Sequence, residues 1–460
     1  MVKHKKNIIK LAKAVQQQGG RVFEVGGTVR DRLLNRLRKN EDVDLEVYGL
    51  SAEKLEDILN SLGKVNLTGK SFAVYRLGDA EISLPREDRR IGMGHKDFKV
   101  KVNPHLSFIE ACRRRDFTIN AILQDVLTGE IIDPLKAQYD LNHKILRACD
   151  PKHFFEDPLR VYRAVRFRAS LGFSLDMETL DQCRKMCLQN LPEERIFAEI
   201  RKMLIEAEYP GLGLHTAHAC GVLYKDSEIM DMLTCPQEME WHPEGNVFIH
   251  TVLSLEAAAY YREFLEDDQD KLVLMLAVLF HDIGKPLTTK VGMEGRKKDR
   301  IISPGHQGAG VKLTGVILNR WKAPHKIIHR VKNLVGYHHR IYDLWKAREV
   351  VTPGAIRRLL RDCELQLLKY TFLSDKFGRG QPPSFSPEVN WLEKTIVELE
   401  IDKQKLKPLL MGRHLLELGI EPSPRMGEIL AKAYESQMDG EFDSVDEGLK
   451  LVEQWINQDN

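Results

Sequence analysis

The stretch from Val25 to Glu46 constrains this chain more than any other. Gly26-Gly27-Thr28-Val29-Arg30-Asp31 follows a stretch at 21–25 that reads as a strand and opens a helical pattern over 28–37. A brief basic loop then leads to Asp42-Val43-Asp44, where a second strand-like run, 43–47, begins. Two glycines, lacking Cβ, let a backbone come close to phosphates. Carboxylates at i and i+2 on one strand point the same way. Hard oxygen ligands so placed suit Mg²⁺, which usually binds through one or two carboxylates plus substrate phosphates. The expectation is a nucleoside triphosphate held on a metal beside a sheet.

Asp-x-Asp is common by chance, and Asp268-x-Asp270 matches it too, inside an acidic run that reads as a solvated turn. Asp42 and Asp44 differ in following a glycine turn by a helix-length spacing. Glu81, on a later strand, is a candidate third carboxylate. Residues 52–62 read as a helix, and 72–77 with 81–84 as a hairpin pair. From about residue 154 the pattern is almost wholly helical: 157–171, 177–188, 193–206 and onward. The fold class expected is therefore α+β: a small mixed-sheet head (1–141), an all-α neck and body (142–240), an all-α histidine-rich domain (241–378) and a helical tail (379–460).

At 460 residues the chain is too long for one typical core,. No apolar run approaches the roughly 18 residues needed to span a membrane, and the basic N-terminus lacks a signal-peptide core. No membrane partner is expected. Seven scattered cysteines argue against a disulfide framework and for a reducing cytoplasm,. Cys183 and Cys187, one turn apart, read as two buried helix cysteines rather than a zinc site. Net charge is only +2, but residues 86–115 hold nine Lys/Arg against four acids. Such a window draws in phosphates or forms a solvated loop.

Two further segments carry chemistry. Arg113-Arg114-Arg115-Asp116-Phe117-Thr118-Ile119-Asn120-Ala121 crowds basic, hydroxyl and amide groups at an expected strand-to-helix transition. They suit phosphate and ribose contacts, or Asp116 or Thr118 simply caps a helix. In Glu156-Asp157-Pro158-Leu159-Arg160, Glu156 or Asp157 caps a helix with Pro158 in its first turn. Asp157 and Arg160 share a helix face. A carboxylate accepts from an exocyclic amine and a guanidinium donates to a ring nitrogen. In a nucleotide pocket, the pair accepts C and A and rejects U and G.

In order, Gly26–Asp31, Asp42-Val43-Asp44, Arg114–Ala121, Glu156–Arg160 and Glu193-Glu194-Arg195-Ile196 resemble the class II tRNA nucleotidyltransferases, the bacterial CCA-adding and poly(A) polymerase family. The resemblance covers roughly residues 20–215. It implies that Asp42 and Asp44 are catalytic and bind two Mg²⁺ ions. It implies further that Gly27, Arg30 and Arg115, with Asp116 and Asn120 nearby, bind triphosphate or ribose, and that Asp157 and Arg160, with Arg163 beside them, select CTP and ATP. The partner is the 3′ end and acceptor arm of tRNA. Where the family commonly shows Asp-Pro-x-Gly-Gly, this chain has Asp133-Pro134-Leu135-Lys136-Ala137. Loss of that permissive hinge keeps A-only addition or poly(A) synthesis as alternatives, while the basic loop at 86–112 fits members that add A.

The order His250, His281-Asp282, His306, His338 and Asp375 resembles the HD phosphohydrolase superfamily. It implies a divalent transition metal on His250, His281, Asp282 and Asp375, a second metal near His306 and His338, and hydrolysis of phosphate esters such as 2′,3′-cyclic phosphates. A reading of another class makes the chain an HD phosphohydrolase with a head that only binds RNA; a non-catalytic RNA-binding protein is a third.

Overall fold

Short strands set the architecture of the N-terminal half. The strands are β1 (Arg21–Val25), β2 (Val43–Tyr48), β3 (Asn66–Gly69), β4 (Val74–Leu77), β5 (Ala80–Ser83), β6 (Arg86–Arg90), β7 (Phe98–Val102), β8 (Leu123–Asp125) and β9 (Ile131–Ile132). Seven form one sheet in the order β3-β4-β5-β2-β1-β8-β9. β2 and β5 run parallel while the other pairs are antiparallel, so the sheet is mixed, as expected. β6 and β7 pair separately as a hairpin.

Leu45 and Val47 of β2 enter a core with Leu11, Val15, Leu55, Leu59 and Ile82. That core joins one sheet face to the helices Val2–Gln17 and Ala52–Leu62. Period-2 alternation turns Asp44, Glu46 and Tyr48 to the other face. Tyr48 packs there with Phe23, Ala111 and Cys112, the last two from the helix Phe108–Arg113.

This computed structural model describes residues 2–36, 43–63, 66–69, 74–90, 98–295, 298–380, 386–398 and 406–459. Asp42 and the tip of the basic loop, 91–97, lie outside the described residues. The chain divides into two units, Met1–Lys225 and Asp226–Asn460. After the sheet the first unit is helical, with Leu159–Leu171, Met177–Lys185, Glu193–Glu206 and Pro210–Ala219 as its longer helices. In the second unit Asp268–Phe280 is buried along 272–280 and is flanked by Val247–Arg262, His325–Tyr337 and Leu365–Gly378.

Several local expectations are corrected. The helix after Gly26 is Gly27–Leu33, ending before residue 37. Residues 113–121 run from a helix into a strand rather than the reverse: Phe108–Arg113 ends, a short turn covers Thr118–Asn120, and β8 follows. Cys187 lies beyond the helix Met177–Lys185 and is exposed, while Cys183 is buried. Asp268 and Asp270 form the first turn of a helix capped by Asp267, not a loop; carboxylates at that end suit the helix dipole. Lys136 holds a left-handed conformation, φ 57°, at the start of Ala137–Asn142. A glycine-like backbone survives there without glycine, at a cost of about 1 kcal/mol.

Candidate functional site

Gly26 ends β1 at φ 73°, a conformation that side chains rarely adopt,. A Cβ there would stand 3.5 Å from Arg115 Nη1 and 3.6 Å from Asp44 Oδ2. The turn thus lies between a carboxylate and a guanidinium, and the missing side chain leaves that gap open. Asp44 is exposed on β2. Register pairs it with Glu81 on parallel β5, so the two acids share a sheet face on adjacent strands,.

A cavity of about 480 Å³ opens beside Gly26 and Asp44, within the range that holds small ligands. Its wall includes Gly26, Gly27, Arg30, Asp44, Arg115, Asp116, Asn120, Asp157, Arg160 and Arg163. Sequence reading missed Arg166, Phe167 and Arg195, which also line it. Glu81 is not among the lining residues. Six arginines thus face three aspartates, with Glu46 and Glu199 behind the wall offsetting Arg115 and Arg166 at 3.5 and 2.6 Å.

Hydrogen bonds lock the wall. Arg30 donates to Asn120 Oδ1 at 2.7 Å, and Asn120 Nδ2 donates to Asp116 Oδ1 at 3.0 Å. Asp116 also accepts from Phe117 N and from Arg163. Burial pushes the Asp116 carboxyl up, but Arg163 and Asn120 outweigh it and hold it at about 2. Asp116 is therefore an anchor for Arg163 and, through Asn120, for Arg30. The guanidinia of Arg30, Arg163 and Arg166 sit 5.2, 5.4 and 4.3 Å from the Phe167 ring centroid. Cation–π attraction aligns three charges on one platform.

Asp157 and Arg160 both reach the cavity, but their mutual pairing is not the one found. Asp157 Oδ1 accepts from Leu159 N at 3.1 Å, capping Leu159–Leu171, and Oδ2 lies 3.4 Å from Arg195. Arg160 donates to the main-chain carbonyls of His153 and of Arg114, the latter at 2.5 Å. Each keeps spare capacity, since a carboxylate has about four acceptor sites and a guanidinium five donors.

The second cluster lies in the Asp226–Asn460 unit. His250 is on Val247–Arg262, His281 caps Asp268–Phe280, His306 begins His306–Arg320, His338 caps His325–Tyr337 and Asp375 is on Leu365–Gly378. All are buried. Gly284 permits the approach: a Cβ there would stand 2.1 Å from His306 O. His250 Nε2 lies 3.1 Å from His281 Nε2 and 3.0 Å from Asp375 Oδ1. His306 Nε2 lies 3.3 Å from His338 Nε2 and 3.4 Å from Asp282 Oδ1. Asp282 is 1% exposed, and neither of its oxygens has a hydrogen-bond partner of good geometry, although Lys285 Nζ is 2.6 Å from Oδ2. Facing imidazole nitrogens around such a carboxylate fit a divalent cation that accepts N/O donors. A cavity of about 830 Å³ reaches His306 and Asp375. His339, Glu244 and Arg379, none predicted as site residues, adjoin the cluster; Arg379 lies four residues after Asp375 and pairs with it at 2.7 Å.

Comparison with known proteins places both regions. Residues 22–147 match the poly A polymerase head domain, and 247–378 match the HD domain. The multifunctional CCA protein of Stenotrophomonas maltophilia (strain R551-3) is 31% identical over 435 residues, covering 90% of this chain and 98% of that protein. That of Pasteurella multocida (strain Pm70) is 34% identical, covering 74% and 79%. Among solved structures, the Bacillus stearothermophilus CCA-adding enzyme in complex with CTP aligns at TM-score 0.65 and 21% identity, covering 99% of this chain and 98% of that one. The Thermotoga maritima CCA-adding enzyme complexed with tRNA aligns at 0.57 and 20%, covering 97% and 94%. At those identities the structural likeness speaks for the fold.

Proposed function

The chain belongs to the family of multifunctional CCA proteins, and on that premise we propose that it adds or repairs the 3′-terminal CCA of tRNA from CTP and ATP, releasing pyrophosphate. The observation that carries this reading is the single cavity in which Asp44, an arginine wall and the Asp157/Arg160 pair meet. Asp44, with Asp42 and with Glu81 on the neighbouring strand, would hold Mg²⁺; oxygen donors on one sheet face fit that ion. When bound, two such ions stabilise the attacking and leaving oxygens. Arg30, Arg115 and Arg163 neutralise the triphosphate, and Gly26 and Gly27 leave room for it. The RNA 3′-hydroxyl attacks the α-phosphate in line, so catalysis is mainly positioning and charge neutralisation. Asp157 accepts from the exocyclic amine of C or A while Arg160 donates to the ring nitrogen; Arg195 steadies Asp157, and two main-chain carbonyls steady Arg160.

Incubating the protein with tRNA lacking CCA and labelled CTP and ATP tests the site. The native protein should restore CCA and Asp44→Ala should not; extension by the variant would refute the assignment.

The histidine cluster supports a second activity. We infer that it binds a divalent transition metal on His250, His281, Asp282 and Asp375, with His306 and His338 toward a second, and hydrolyses phosphate esters, including 2′,3′-cyclic phosphates. The buried Asp282, facing four imidazoles, supports this reading. We also infer a cytoplasmic location, supported by seven cysteines scattered through the chain with no disulfide framework in their spacing,. Among the described residues no helix is long and apolar enough to cross a membrane.

A further inference from the structure

Three imidazoles of the histidine cluster are fixed by main chain. His281, His306 and His338 each direct Nδ1 at a carbonyl, of Val278 at 2.7 Å, Ser303 at 2.8 Å and Val335 at 2.7 Å. A carbonyl only accepts, so Nδ1 carries the proton and Nε2 turns a lone pair inward. His250 reaches the same state differently. Its Nδ1 lies 2.7 Å from Glu244 Oε1, a side-chain carboxylate that precedes the residues matching the HD domain. Glu244 Oε1 also accepts from His242 Nδ1 at 2.9 Å, its Oε2 is buried without a hydrogen-bond partner, and its side chain is 6% exposed.

The inward donors fall into two groups that share Asp282. Oδ2 of Asp282 lies 3.4 Å from His281 Nε2 and 3.8 Å from His250 Nε2, and Asp375 Oδ1 completes that group. Oδ1 lies 3.4 Å from His306 Nε2 and 3.9 Å from His338 Nε2, with His339 adjoining. In the first group, Lys285 and Arg379 offset the charges of Asp282 and Asp375. Glu244 then leaves that group one negative charge ahead. The second group is imidazole apart from its share of Asp282. Attraction for a dication at such buried positions is large because the local dielectric is low, and a carboxylate behind a histidine ligand fixes its orientation and raises its basicity.

We propose that the cluster holds two unequal divalent-cation positions, and that Glu244, acting through His250 as a positioning residue, makes the His250/His281/Asp375 position the tighter. The proposal rests on the metal-binding reading of the HD cluster. It predicts stepwise loading, with the His306/His338 position filling second.

Full-length protein carrying Asp42→Ala, Asp44→Ala and Glu81→Ala, which removes the carboxylates proposed to hold metal in the head, is stripped of metal and titrated with Mn²⁺. Calorimetry gives the affinities, and electron paramagnetic resonance counts bound ions. Two steps are expected. Glu244→Gln, close in volume and still an acceptor, should weaken the tighter step about 10–100-fold and leave the second within about twofold. Glu244→Ala should do at least as much. His306→Ala should remove the weaker step alone. Melting curves of the metal-free proteins identify any variant that fails to fold, and the Gln variant then decides. Equal weakening of both steps, or no change on Glu244→Gln, overturns the role of Glu244 while leaving the cluster a metal site. No Mn²⁺ binding by the parent protein overturns the metal-binding reading as well.

Discussion

The head cavity and the histidine cluster assemble charge in opposite ways. In the head, Asp44 stands exposed near the start of the central strand β2, beside arginines tethered by Asp116, Glu46 and Glu199. The site is open, rich in oxygen donors and guanidinia, and suited to a polyanion that enters and leaves. In the second unit, Asp282 and four imidazoles are buried with their protons directed outward. That arrangement turns fixed imidazole nitrogens on a buried carboxylate, which suits a small cation,. On the proposed function, one chain would keep phosphate chemistry among the oxygen donors of the head sheet and a second, imidazole-bound cation chemistry among buried helices, on different units of the chain.

Mutations that cross between the two sites can break this contrast. The largest effect is expected from Asp44→Ala, which should lower nucleotide addition by on the order of 10³-fold while the metal content of the histidine cluster is unchanged. Asp282→Ala should strip both cluster positions and abolish phosphatase activity, leaving addition to tRNA intact. If either variant eliminates both activities while folded, the sites are not independent.

Selectivity comes next. Asp157→Ala should cost about 1–3 kcal/mol of discrimination between CTP and UTP, read as a rise in the relative kcat/KM for UTP. An intact ratio would assign base choice elsewhere. Asp116→Asn tests the arginine wall. Its carboxyl falls from an ordinary 3.8 to about 2 on folding, so it stabilises the protein above pH 4 and loses that contribution as pH falls through about 2. The contribution is on the order of 2 kcal/mol. Melting temperatures of the native protein and Asp116→Asn should differ at pH 6 and converge toward pH 2; a gap independent of pH would mean that lost packing, not charge, explains it. Smallest is Lys136→Gly, which should raise stability by about 0.5–1 kcal/mol by relieving the left-handed backbone.

The glycine turn and the acid-bearing strand were legible because they are local. Gly26, Asp44 and Arg115 are separated in sequence, yet each stands in a pattern that names its chemistry. Arg166 and Phe167 were within reach as well, since they lie three and four residues after Arg163 on one helix, a spacing that shares a face. Arg195 stood in a recognised motif, but its role was not readable there: it meets Asp157 through packing of Glu193–Glu206 against Leu159–Leu171. Asp157 and Arg160 both line the cavity without bonding each other: Asp157 accepts from Leu159 N just before Leu159–Leu171, and Arg160 donates to main-chain carbonyls. Glu244 gave no sequence signal, because one glutamate before a helix is ordinary until His250 and His242 close on it. The hinge is a further lesson: a missing glycine pair suggested a stiff backbone, and the fold kept the left-handed turn with Lys136 instead.

The most direct test of the central claim is to sequence tRNA 3′ ends after the protein has acted on tRNA lacking its last three nucleotides, with all four nucleoside triphosphates present. The cavity chemistry predicts ends that finish in CCA, with U and G excluded. Ends that stop short of the final A, run on as A tails, or carry U or G would contradict it.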